Sequence, residues 1–213
     1  MKGLERRSYN FEVRAEETEK GSVIEGLAIV YDRVSNLGYF DEIIEKGALD
    51  ETNLKDVRFL VNHDEKRIPL ARSRRNNKNS TMQLKLVDEG LKVIVNLDTE
   101  NNSEAKSLYS AVKRGDLSGM SFMFSVAEEN EKWEDIESEH PTRRIKKIDT
   151  VVEVSAVTFP AYPDTTINTR SELDSSKQAL DNAIQKNNKI KEQRKKTEVE
   201  KLRFNFFEKL GGK

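Results

Sequence analysis

The chain has no cysteine in 213 residues. That absence excludes disulfides, thiolate metal sites and a cysteine nucleophile, and it suits an intracellular protein. Histidine is nearly as scarce: only His63 and His140 are present, and no second histidine stands at ligand spacing, which disfavours a metal centre and a metal-dependent hydrolase. Long apolar runs are also missing. No stretch reaches the roughly 20 residues that a membrane span needs. The opening Met1-Lys2-Gly3-Leu4-Glu5-Arg6-Arg7 is charged and is not followed by the apolar segment of a secretory signal. A large excess of one charge is lacking too. The formal net charge is −1, which argues against a general nucleic-acid binder.

What is present is unevenly distributed. Hydrophobic and charged residues each make up 35% of the chain, against roughly 45–50% and about 25% in an average domain. Part of the chain is therefore not core-forming. Residues 171–213 carry 11 Lys/Arg against 7 Asp/Glu, while residues 1–170 carry 26 against 31. The edge near Arg170 divides a domain, 1–170, from a charged tail, 171–213. Ser171 to Lys201 is polar and has no Gly or Pro, which fits a solvated helix or a segment that orders on a partner. It ends in an apolar island, Leu202 to Leu210, expected to dock on its own domain or on another chain.

The domain reads as α+β, mainly β. Phe11 and Val13 suggest a short strand beside the β-rich run Ser22 to Tyr31. Asp41 to Asp50 reads as a short helix or turn. Val57 to Asn62 is a strand, and Ile68 to Ala71 an extended edge piece because of Pro69. Met82, Leu84 and Leu86, then Leu91, Val93, Val95 and Leu97, alternate about an Asp88-Glu89-Gly90 turn and make a hairpin with one buried face. Residues 103–114 form a helix, with capping-box spacing at Asn101 and Glu104 and a stop at Gly115. Strands follow at Met120 to Ala127 and Thr150 to Phe159, separated by an acidic, Trp133-containing hairpin or loop.

Three residues carry possible chemistry. His63 closes the run Val57-Arg58-Phe59-Leu60-Val61-Asn62-His63 and shares strand parity with Phe59 and Val61. His140, in a polar turn before Pro141, reads as a solvated loop residue. In Ser118-Gly119-Met120-Ser121-Phe122-Met123-Phe124 the aromatics claim the core, so Ser121 points to another surface. Glu153 lies inside the most apolar stretch, Val151 to Ala161. A carboxylate there must be paired, hydrogen-bonded or protonated. Its partner is either an arginine such as Arg143 or Arg144, or an imidazole that it orients. A serine, a histidine and a carboxylate on separate strands can make a nucleophile, base and orienter.

The ordered set Gly26-Leu27-Ala28, Lys46-Gly47-Ala48, Asn62-His63-Asp64 with Pro69-Leu70, Gly90-Leu91, Gly119-Met120-Ser121-Phe122-Met123-Phe124 and Glu153-Val154-Ser155-Ala156-Val157-Thr158-Phe159-Pro160-Ala161 resembles the prohead (procapsid maturation) protease family of tailed bacteriophages. It spans roughly residues 21–170. That family is similar to the herpesvirus assemblin serine peptidases, which implies a compact β-barrel flanked by helices. The resemblance assigns His63 as the catalytic histidine, Ser121 as the nucleophile in preference to Ser118, and Glu153 as the third member. Met123 stands where a small residue usually follows the Ser-Phe pair. No cofactor or metal is implied.

The implied activity is that of a serine endopeptidase acting through an acyl-enzyme. Its substrates would be the major capsid protein with its scaffolding segment, the portal protein as a further shell partner, and the protease itself. The implied setting is the bacterial host cytoplasm, inside the assembling procapsid, with a homodimer raised by the assemblin likeness and no nucleic-acid or membrane partner. The tail would anchor the enzyme in the shell and be trimmed by self-cleavage. Ser121→Ala is expected to abolish cleavage at little cost to folding, as a surface-facing change. The rival reading is a catalytically inactive, scaffold-like capsid assembly protein.

Overall fold

Alternation of apolar and polar residues builds most of this molecule. In the computed structural model, which describes residues 3–10, 13–18, 21–77, 79–158 and 170–211, the hairpin pairs β8 (Met82–Val87) with β9 (Gly90–Leu97). Gly90 is required there: a Cβ would lie 2.0 Å from the Ile29 carbonyl oxygen, and its φ is +147°. The hairpin continues through β3 (Gly21–Val30) to β2 (Arg14–Thr18), giving a four-stranded sheet in the order β2-β3-β9-β8. Ile24, Ile29, Met82, Leu91, Val93 and Val95 project from it into the core.

A five-stranded sheet carries the candidate site. Its order is β1 (Glu5–Asn10), β10 (Gly119–Ser125), β13 (Thr150–Val157), β6 (Arg58–Val61) and β7 (Ala71–Arg72). β13 and β6 run parallel, and the other neighbours antiparallel. Phe59, Phe122, Phe124, Val154 and Ala156 fill the core side. A third sheet orders β11 (Glu131–Glu134), β12 (Thr142–Ile145), β5 (Asp41–Ile44) and β4 (Ser35–Asn36). The Trp133 segment is thus a hairpin strand. The expectation of a helix or turn from Asp41 is corrected: residues 41–44 are a strand, and turns begin only after it. Phe11 and Phe159 lie outside the described residues.

The sheets do not close into a barrel. A closed barrel needs a backbone ladder at every seam. Between β7 and β8 the chain passes through left-handed Arg74, Arg75 and Asn76, and side chains bridge the gap. Thr81 Oγ1 accepts from Arg72 N–H at 2.9 Å, and the Asn76 amide bonds both backbone groups of Leu84. The expected barrel is therefore replaced by three open sheets around one core.

Helix α1 (Ser103–Arg114) buries Ala105, Leu108, Tyr109 and Val112. Its N-cap is Asn102, not Asn101: the Asn102 side chain accepts from Glu104 and Ala105 N–H. Asn101 bonds Asp98 instead. Gly115, left-handed at φ 79°, ends the helix.

Helix α2 (Arg170–Gly211) begins against the domain, where Ser176 and Ala179 are buried. Polar pairs join it to the acidic hairpin: Lys186 to Glu128 at 3.2 Å, Asn187 to Glu137 at 3.4 Å, and Lys191 to Glu137. Beyond these, residues 192–208 are exposed. Leu202, Phe204, Phe206 and Phe207 are 61–69% exposed, so the apolar island is not docked on its own domain. Among the described residues no helix is long and apolar enough to cross a membrane.

Candidate active site

Register alone sets Ser121 and Glu153 at a bridgeable distance. In the β10–β13 ladder Ser121 faces Ser155 and Met123 faces Glu153. Ser121 and Glu153 are therefore diagonal neighbours on one face of the sheet, separated by roughly the 7–8 Å of such pairs. An imidazole with a hydrogen bond at each end fills that gap.

A bulge allows Glu153 to be there. Met123 pairs with Glu153, but Phe124 pairs with Val151, leaving Val152 as the extra residue. In an unbroken strand Val151 and Glu153 would share a face. The bulge sends Val151 into the core and leaves Glu153 on the opposite side.

His63 arrives by a turn rather than by strand parity. β6 ends at Val61, and Phe59 on that strand faces the core. Asn62 and His63 then both adopt left-handed backbone, with φ of 52° and 57°. Asparagine tolerates this conformation. The turn is tied down by Asn62 N–H to the Ala156 carbonyl at 2.9 Å and by Thr158 N–H to Asn62 Oδ1 at 3.0 Å. The turn, not strand parity with Phe59, lifts the His63 ring onto the face that Ser121 and Glu153 share.

The three side chains form one line. His63 Nδ1 is 2.6 Å from Glu153 Oε2, and His63 Nε2 is 2.6 Å from Ser121 Oγ. Glu153 favours the tautomer with a proton on Nδ1, which leaves the Nε2 lone pair facing the hydroxyl. Glu153 is buried, Ser121 exposes no surface, and the His63 side chain is 13% exposed. Burial corrects the expectation that Ser121 is surface-facing. It also places the hydroxyl 2.8 Å from the Arg7 carbonyl oxygen on β1, to which it donates. One proton thus serves two acceptors, the carbonyl and Nε2.

Two residues join the array besides the three read from the sequence, Ser155 and Arg7. Ser155 Oγ accepts from His63 N–H at 3.0 Å and donates to Glu153 Oε1. Its signal was present: a serine two residues from Glu153 on a strand lies on the same face. Arg7 acts through its main chain here, and no side-chain pattern marks that role. Ser118 is exposed and precedes β10, outside the array. His140 sits elsewhere, with Nε2 3.0 Å from Asp41. Among the described residues no group of three or more His, Asp or Glu is placed to hold a metal ion.

Glu153 does not pair with Arg143 or Arg144. Arg144 bonds Glu134 at 3.0 Å. Arg143 is taken by a buried ionic cluster on the opposite face of the sheet. Arg7 forks onto Glu42 at 2.6 and 2.7 Å and reaches Glu5 at 2.8 Å. Arg143 bonds Glu5, Glu42 and Glu131 at 2.5–2.8 Å. Burial by itself pushes the Glu5 carboxyl up, but Arg143 and Arg7 outweigh it and hold it at about 2. Burial likewise pulls the Arg7 guanidinium down, yet Glu42 and Glu5 leave it above its ordinary value. The cluster fixes β1, and with it the carbonyl that meets Ser121.

Comparison with curated proteins and comparison with solved structures each found no match. A family model described as caudovirus prohead serine protease matches residues 9–190, across the charge edge near Arg170 and into α2, and the chain belongs to that family.

Proposed function

We propose that this chain is a serine endopeptidase that uses Ser121 as nucleophile, His63 as general base and acid, and Glu153 as orienter. The observation that carries this reading is the unbroken line Glu153–His63–Ser121 with both hydrogen bonds at 2.6 Å. His63 Nε2 takes the hydroxyl proton as Ser121 Oγ attacks a peptide carbonyl carbon. The imidazolium returns that proton to the leaving amine as the C–N bond breaks, which leaves an acyl-enzyme. Water, deprotonated by the same imidazole, then releases the acid and restores Ser121. Glu153 offsets the charge on His63 in both steps.

Ser155 acts as a positioning residue, since it holds both the His63 backbone and Glu153. Ser155→Ala is expected to lower kcat by about 10–100-fold, the scale of a small misplacement of reacting groups. KM for a peptide substrate should change little. A fall in KM affinity with kcat intact would remove this role.

The substrates proposed are the major capsid protein at its scaffolding segment, the portal protein, and the chain itself, inside the procapsid of the bacterial host. Residues 171–213 are proposed as an anchor to the shell, with the exposed apolar island of α2 as the part that meets another chain. Self-cleavage would then trim the tail. Mass spectrometry of protease recovered from mature particles should show residues missing from this region; a full-length chain would contradict trimming. An assembly role without catalysis would leave the buried array with no function. Co-expression with the capsid protein separates the two readings: a shortened capsid band supports the peptidase, and an unshortened one the assembly protein.

A further inference from the structure

We propose that a cavity beside Glu153 is a subsite for one apolar substrate side chain, and that Met123 is its specificity-determining residue; this rests on the peptidase reading above. The face of the five-stranded sheet that carries Ser121 and Glu153 points away from the main core. Leu60, Met123 and Val157 are nevertheless buried, although none of them belongs to the main core cluster. Register explains two of them: Leu60 faces Ser155, and Met123 faces Glu153, so both stand on the same side as the array.

A cavity of about 380 Å³ opens over this strip. Leu60, Met123 and the bulge residue Val152 line it together with Leu4 and Pro69, and Glu153 forms one wall. The cavity therefore adjoins the Glu153 end of the candidate active site. Met123 is two residues from Ser121 along β10, or roughly 7 Å at strand rise. An extended substrate advances by the same rise. The side chain entering the cavity then belongs to a residue within two positions of the bond that Ser121 attacks.

Charge decides the chemical class. Arg58, Glu65 and Arg67 stand at the rim. Arg67 is held by Asp64 at 3.2 Å and Glu104 at 2.9 Å, Glu65 by Arg6 at 2.9 Å, and Arg58 lies 3.7 Å from Asp56. Each rim charge thus has a counter-charge near it, with which a charged substrate group would compete. An apolar one covers Leu60, Met123 and Val152 and leaves the pairs intact.

The test is cleavage-site profiling of the full chain on a mixed-sequence peptide library, with product termini read by mass spectrometry. Leu, Ile, Met or Phe should be enriched about tenfold or more at one fixed position within two residues of the cut, the scale of discrimination in an apolar pocket. Met123→Phe should shift that position toward smaller apolar residues. Val152→Lys, at a half-buried site in the cavity lining, should admit Asp or Glu there. Each profile is a ratio among peptides, so a smaller folded fraction does not alter it, and Val152→Lys stands if Met123→Phe does not fold. Cleavage by the unaltered chain with no apolar preference near the cut would overturn the subsite, as would unchanged profiles in the variants. A chain that cleaves neither peptides nor capsid protein would instead overturn the peptidase reading, and the subsite with it.

Discussion

Capsid protein co-expressed with the Ser121→Ala chain is expected to remain full length, while the unaltered chain shortens it. The loss should be at least about 10⁴-fold in rate, since removing one member of such an array leaves only what binding and oxyanion stabilisation supply. The variant should still fold. The lost hydroxyl is buried and donates to the Arg7 carbonyl, so its removal costs about 1–3 kcal/mol rather than the few tenths of a surface change. A cooperative thermal transition a few degrees lower, alongside complete loss of processing, is the expected combination. Processing at the normal rate by Ser121→Ala would remove the nucleophile assignment. Loss of processing together with loss of fold would move the test to His63→Ala, which removes the base at a partly exposed ring and leaves Ser121 in place.

Arg143→Met is expected to destabilise the protein by about 3–5 kcal/mol at neutral pH, because it leaves buried carboxylates without their counter-charge. Glu5, Glu42 and Glu131 all bond Arg143, and afterwards only Arg7 remains against Glu5 and Glu42. A domain of ordinary stability holds only about 5–15 kcal/mol in reserve, so the variant should be near unfolding. Trp133 is the single tryptophan, and the Arg143 guanidinium lies 5.9 Å from the centre of its ring, so its fluorescence in a urea titration reports on this cluster.

The pH dependence has a definite sign. In the unaltered chain Glu5 is held at about 2, below its ordinary value of 4.5. Its contribution to stability is complete above the ordinary value and is lost as pH falls from there toward 2. Without Arg143 the burial of Glu5 is less well opposed, and its carboxyl rises. Protonation then relieves the variant, so the gap between the two proteins should narrow as pH falls toward 4. A gap that is constant from pH 7 to 4 would mean that the cluster is not the source of the loss.

Local pattern was legible where both faces of an element differ. Residues 82–97 announced a hairpin by alternation, and residues 103–114 a helix by its apolar face and Gly115. Spacing alone puts the N-cap one residue early, because two adjacent asparagines offer the same chemistry and only the backbone at Asn102 distinguishes them. β5 was not legible. Its Glu42 is charged yet fully buried, and the two arginines that permit this lie 35 and 101 residues away. Barrel closure failed for a related reason: whether a seam carries a ladder or side-chain bridges depends on left-handed residues at 74–76, which are arginines and an asparagine rather than glycines.

The candidate site shows the same division. Residue type sets Ser121 on a non-core face and marks Glu153 as a charge inside an apolar run, and register brings them together. The route by which His63 joins them was hidden, because strand parity stops at Val61 and two left-handed residues take over. The Val152 bulge was equally silent, since nothing in Val151-Val152-Glu153 marks the extra residue. Arg143 looked available to Glu153 only because the acidic residues that occupy it are distant in the chain.

The most direct measurement of the central claim is covalent capture of the Ser121 hydroxyl. The full chain is treated with an alkyl fluorophosphonate, its intact mass is read, and the adduct is mapped by peptide sequencing, in parallel with His63→Ala. A single adduct on Ser121 that forms slowly in the unaltered chain and not in His63→Ala is the predicted result. An adduct on Ser118 or another serine, or equal labelling of Ser121 with and without the imidazole, would contradict it.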